Sequence, residues 1–152
     1  MCLRVRASRD KPSPADIVKP EAFHYDDNTG ILTVDFKKIN VQLSEVPKVW
    51  VTPIPDTDSM DPLFDYGHNN LLLGGRNSAD QQKLIDFMAE RPGNIAVYKF
   101  PNWARGIIHR IVEIGQDDQG RFFKFRGDNN LKGDPDKVRD ADISHLYAGT
   151  IP

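Results

Sequence analysis

The chain has one cysteine, Cys2, among 152 residues. A lone thiol excludes an intramolecular disulfide and a cysteine-built metal cluster, and it suits a reducing compartment. No apolar run approaches the roughly 18 residues needed to cross a bilayer. The opening MCLRVRASRDK is charged, and no apolar stretch comes after it, so no secretory signal peptide is expected. Internal repeats and low-complexity tracts are lacking. An excess of basic charge is missing too: 20 Lys and Arg face 22 Asp and Glu, for a net charge of -2 and a pI near 6.1. Without a basic field, neither nucleic acid nor an acidic membrane is an expected partner. The expectation is a soluble chain, cytoplasmic or otherwise, that reaches a membrane only through a partner. Its length suits one domain with a sizeable core, or one domain with an appendage.

What is present is mostly β-signal. LRVRA alternates weakly and is a short strand candidate; RDKPSPADIVKP is polar, broken by proline, and reads as a linker or surface arm. FHYDDNTGILTVDF reads as a hairpin around Asp27-Asn28-Thr29-Gly30, and KINVQLSEVP is a candidate continuation of that sheet. Lys48–Ile54 (KVWVTPI) and NNLLLGG come next as short strands. One helix is predicted over about 78–90. Asn77 or Ser78 can cap it, Leu84, Ile85 and Met88 recur at helical spacing, and Pro92-Gly93 closes it. Four more strands are expected in NIAVYKF, GIIHRIVEI, RFFKFRG and DISHLYAGTI, the middle two joined through Asp117–Gly120. The predicted class is mainly β, a β-rich α+β fold with a coiled antiparallel or mixed sheet. A doubly wound α/β domain would need several crossover helices.

Three sparse features carry candidate chemistry. In DTDSMDP, Asp56–Pro62, the residues are those of a turn. Ser59 there sits just past a strand end, where a short polar side chain is presented from rigid scaffolding. A serine nucleophile needs a base, and Lys99, His24, His68, His109 and His145 are the candidates. His109 stands out inside the apolar run GIIHRIV. Strand alternation groups it with Ile107 and Ile111, against Ile108, Arg110 and Val112. A histidine beside a buried face is either a satisfied core residue or an oriented base. The third feature, RGDNNLKGDPD at Arg126–Asp136, is rich in turn formers. Its acids do not have calcium-loop spacing, and its Arg-Gly-Asp triplet is too short a match for adhesion. An aspartate from it can orient the histidine, while its asparagines hold the loop. Phe100 and Trp103, in KFPNWARG, either touch a substrate or membrane surface or pack locally.

The order and wording of these features resemble the signal-peptidase superfamily, which includes the self-cleaving phage and stress-response repressors. Ser59-Met60-Asp61-Pro62 resembles its Ser-Met-x-Pro box, and Leu63-Phe64-x-x-Gly67 resembles the stretch directly after that box. Pro92–Tyr98 is similar to its Gly-Asp-Ile-Val-Val-Tyr strand, Ile108–Val112 to its base box, and Phe125–Asn130 with Asp134 to its Lys-Gly-Asp-Asn-Asn…Asp box. DISHLYAGTI is similar to its closing strand. The likeness runs from Val49 to the C-terminus, roughly two thirds of the chain. Many members use lysine as base; the archaeal and endoplasmic-reticulum type has histidine there. The resemblance therefore implies Ser59 as nucleophile, His109 as base and Asp134 as the orienting acid, with Asp128 supporting the loop or serving as an alternative acid. It implies the Ser59 backbone N–H as an oxyanion donor, and Met60 lining a pocket or packing in the core. Residues 48–152 would be the catalytic core, with one inserted helix, and 1–47 a β-rich extension or platform. The implied activity is that of a soluble serine endopeptidase, of phage, prophage or archaeal type, that cleaves a protein or peptide substrate or itself, with no cofactor and no metal. A catalytically inactive binding or assembly module is the alternative. Thr57 and Asp58 stand where the family often has small residues, and Asn94 replaces an Asp.

Overall fold

The computed structural model describes residues 17–64 and 66–151. Among the described residues the fold is mainly β, with one α-helix and two sheets of antiparallel strands not closed into a barrel. A hairpin of β1 (Phe23–Asp26) and β2 (Ile31–Val34) forms the small sheet. Its turn is Asp27–Gly30, with Gly30 at φ +70°, a conformation that glycine adopts without steric cost. Six strands make the large sheet: β3 (Lys48–Pro53), β4 (Asn69–Gly74), β5 (Ile95–Tyr98), β6 (Ile107–Asp117), β7 (Gly120–Arg126) and β8 (Ile143–Ile151). Their spatial order is β3-β4-β8-β5-β6-β7, and every neighbouring pair is antiparallel. The last strand thus enters the middle of the sheet.

The central strands are covered on both faces, which is why NLLLG and IAVY read as nearly unbroken apolar runs. On one face Leu73, Ala96, Tyr98, Ile111, Phe123 and Leu146 pack against Leu84, Ile85 and Met88 of the helix α1 (Ser78–Ala89). On the other, Leu72, Ile95 and Tyr147 are covered by Ile54, Met60 and Phe64 from the segment between β3 and β4. Each leucine, isoleucine, phenylalanine or methionine among these, fully buried, contributes about 1.5–3 kcal/mol. Asn77 caps α1 by accepting from the Asp80 N–H at 2.8 Å.

Differences from the sequence expectations lie mainly in the first third. The LRVRA strand candidate falls outside the described residues. Ile17 and Val18, read as the end of a polar linker, are each 2% exposed and belong to the main core with Ala22, Ile39 and Val41. The neighbouring prolines and charges mask these two apolar residues in the composition. KINVQLSEVP does not extend the hairpin sheet. Its backbone bonds go elsewhere: Ile39 bridges to Val18, and Ser44 and Glu45 dock on Asp80. The Asp80 carboxylate accepts from the Ser44 N–H at 2.8 Å, the Ser44 hydroxyl at 2.7 Å and the Glu45 N–H at 3.2 Å. The helix N-terminus is thereby clamped to this segment.

These bonds, the Ser44 N–H foremost, hold the Asp80 carboxyl at about 2, below its ordinary 3.8. The unfolded chain therefore takes up this proton at higher pH than the folded one. The clamp contributes fully above about pH 4, and its contribution is lost as pH falls through about 2. The expected outcome is that Asp80→Asn melts at lower temperature than the parent at neutral pH and that the gap narrows between pH 4 and pH 2. Thermal melts across that range check it; a gap independent of pH would show that the carboxylate is not the clamp.

Candidate functional site

Ser59 lies past β3 in a short loop rather than a regular element. Met60, 2% exposed, and Phe64, 3% exposed, flank it and fix it to the core, so Met60 packs in the core. Asp58 has φ +53°, in the left-handed region where glycine is at ease and an aspartate is tolerated. The Asp58 side chain is exposed, and its carbonyl accepts from the Asp61 N–H at 3.2 Å and from Asn129 Nδ2 at 3.0 Å. The Asp61–Pro62 peptide is cis.

His109 is held on β6. Its Cα partner across the sheet is Ala96 on β5, which puts its ring on the side of Tyr98, Ile107 and Ile111. Its Nε2 lies 3.1 Å from Ser59 Oγ, and its Nδ1 lies 2.7 Å from Asp134 Oδ2. An ionised carboxylate only accepts, so Nδ1 carries the proton in this arrangement, and the Nε2 lone pair faces the serine hydroxyl. Tyr98 donates its hydroxyl to the same Asp134 Oδ2 at 2.8 Å. Burial, and then the bond to Asp134, push the Tyr98 phenol above its ordinary range, so it remains a donor.

The Asn- and Gly-rich loop after β7 is bound to the sheet at several points. Asp134 N–H donates to the Phe125 carbonyl at 2.8 Å, and Val138 exchanges two backbone bonds with Phe123. Asp128 is paired bidentately with Arg110, at 2.7 Å to Nε and 2.6 Å to Nη2, while Arg110 Nη1 donates to the Gly93 carbonyl at 2.6 Å. The acid that meets His109 is therefore Asp134, and Asp128 holds the loop. Asn129 N–H donates to the Ser59 carbonyl at 3.0 Å, and Thr57 Oγ1 lies 3.4 Å from Ser59 Oγ.

Of the other base candidates, Lys99 comes just after β5 with an exposed side chain. His24 lies on the β1–β2 hairpin, and His68 precedes β4. His145, on β8, meets Trp50 edge-on at 4.3 Å, and burial lowers its pKa. Phe100 and Trp103 pack with Tyr98 in an aromatic cluster whose ring centroids are 4.8–6.2 Å apart. Three further residues belong to the site: Thr57, Tyr98 and Asn129. The sequence signal for Thr57 is its place two residues before the serine. Tyr98 and Asn129 act across the fold, and no local pattern marks their contacts. Among the described residues, no group of three or more His, Cys, Asp or Glu is arranged to hold a metal ion, and no helix is long and apolar enough to cross a membrane.

No family model, curated protein or solved structure matches the chain.

Gly127 is the tightest seam of the site. A Cβ there would stand 2.4 Å from the Ser59 carbonyl oxygen and 2.7 Å from Asn130 Nδ2, far inside contact distance. Gly127→Ala is expected to push the serine loop off the Asn129 amide while the sheet stays folded. Amide hydrogen exchange checks this: Asn129 should lose protection by about tenfold or more, on the order of one hydrogen bond, with β5 and β6 unchanged.

Proposed function

We propose that this chain is a serine endopeptidase with Ser59 as nucleophile, His109 as general base and Asp134 as the acid that orients the imidazole. The observation that carries the reading is the continuous line of contacts from Ser59 Oγ to His109 Nε2 at 3.1 Å and from His109 Nδ1 to Asp134 at 2.7 Å. Nucleophile, base and orienting group within hydrogen-bond reach are the geometric signature of an activated serine. The motif order that resembles the signal-peptidase superfamily supports the same roles independently.

In the reaction, His109 Nε2 takes the Ser59 hydroxyl proton as Oγ bonds to the substrate carbonyl carbon. The C–N bond then breaks, and the proton passes from His109 to the leaving amine. A water molecule next attacks the acyl-serine ester while His109 takes one of its protons. Return of that proton to Oγ releases the new carboxyl end and restores Ser59. The Ser59 N–H, with the Thr57 hydroxyl 3.4 Å from Ser59 Oγ, would donate to the carbonyl oxygen as it becomes negative. Asp134, with its side chain 13% exposed, keeps the imidazolium paired during each transfer.

Ser59→Ala and His109→Ala are expected to abolish labelling by a fluorophosphonate probe and to lower peptide hydrolysis by about 10⁴-fold or more. A parent protein that the probe does not label, with cleavage absent, would assign the chain to the non-catalytic binding modules instead. Tyr98→Phe removes one donor to Asp134 without changing the ring. It should lower kcat about tenfold with KM little changed; equal losses in stability and none in kcat would make Tyr98 purely structural.

A further inference from the structure

On the sheet face opposite the His109 ring lies an open groove of about 690 Å³, within the roughly 300–1,000 Å³ of ligand pockets. Its floor is apolar: Ile54, Leu72, Val97 and Ile108. It adjoins the candidate site through the chain, since Ile108 immediately precedes His109 and the lining residue Pro55 lies on the segment leading to Ser59. Two cations stand on its rim, Lys99 just after β5 and Arg105 just before β6. Both are exposed, and among the described residues neither side chain forms an ion pair. Elsewhere in the molecule cations are paired: Arg121 with Asp86 and Asp140, Lys137 and Arg139 with Asp117. Beside the two cations, Gly106 leaves the groove open at its end. A Cβ there would meet Val97 Cγ1 at 2.8 Å.

We infer that this groove binds an extended peptide whose alternate apolar side chains lie on the floor and whose aspartate or glutamate is read by Lys99 and Arg105. Charge complementarity selects the occupant. An apolar segment without an acid would leave the two rim cations unanswered. The chain's own first sixteen residues carry Arg4, Arg6, Arg9 and Lys11 against Asp10 and Asp16, so their net charge has the same sign as the rim. The acid preference deepens the peptidase reading, because it names the substrate class that the Ser59 centre would receive. Binding itself does not require that centre to be active.

The test uses the full chain carrying Ser59→Ala, so that cleavage does not confound binding. Fluorescein-labelled ten-residue peptides of alternating valine and serine, with Glu, Gln or Lys scanned through the serine positions, are titrated by fluorescence anisotropy. At one or more positions the Glu peptide should bind at least about tenfold more tightly than its Gln twin, with an advantage that shrinks as salt rises. Lys99→Gln with Arg105→Gln should erase the advantage, and Lys99→Glu with Arg105→Glu should invert it in favour of the Lys peptide; thermal melts confirm that each variant is folded. Equal binding of Glu, Gln and Lys peptides, no binding of any of them, or tighter binding of a peptide copying residues 1–16 would overturn the inference. Failure of the peptidase reading looks different: acid-selective binding persists while the parent protein neither cleaves the peptides nor reacts with the serine probe.

Discussion

The site depends on the register of β6. His109 and Arg110 are consecutive, so they leave the strand on opposite faces. One turns its ring to Ser59 and Asp134; the other holds Asp128 and the Gly93 carbonyl. A slip of one residue would put either Ile108 or Arg110 where His109 now meets Ser59 and Asp134. Pairing with β5 from Ile95 to Tyr98 sets that register, and the irregularity opposite β7 begins only between Ile111 and Glu113. The acid and the serine both sit on loops, yet each loop is referred back to this strand or its neighbours. Arg110 fixes the beginning of the Asn- and Gly-rich loop, the Phe125 carbonyl fixes Asp134, and Asn129 fixes the serine loop.

Close approach, more than the number of bonds, makes the seam between the two loops specific. The Ser59 carbonyl lies where a side chain on residue 127 would be, so only glycine lets the loops meet. Asp58 takes the corresponding cost on the other loop as a left-handed backbone. Its side chain stays exposed, while its carbonyl receives Asn129. Two residues that look like ordinary turn material in the sequence therefore have distinct tasks, one giving space and one giving an acceptor.

Most strands and the helix were legible because their signals are local: alternation, apolar runs, an asparagine cap and a proline-glycine stop. Ser59, His109 and Asp134 were legible as a set only through their order and the words around them. What could not be read has a common physical cause. Ile17 and Val18 are buried by partners far along the chain, Asp80 by Ser44 and Glu45, and Arg110 by Asp128 and Gly93. Asp80, at 1% exposure, takes the shortest bonds to its carboxylate from Ser44, far along the chain. KINVQLSEVP shows the converse. Its alternation suits a strand, but backbone groups that find side-chain acceptors need no sheet partner.

Asp134 explains why an aromatic cluster surrounds a polar centre. A carboxylate removed from most of its water is costly unless donors replace that water. Here two do, the Tyr98 hydroxyl and the His109 ring, both on Oδ2. Burial of the tyrosine ring against Phe100, Trp103 and Phe125 pushes its phenol further above its ordinary range, which keeps it a donor to Asp134. The aromatic packing thus acts on the acid by keeping one of its two donors in place. An acid held in this way can orient the base throughout a cycle of proton transfers without taking a proton itself, which is what the line from Ser59 to Asp134 requires if it is to work as a catalytic centre.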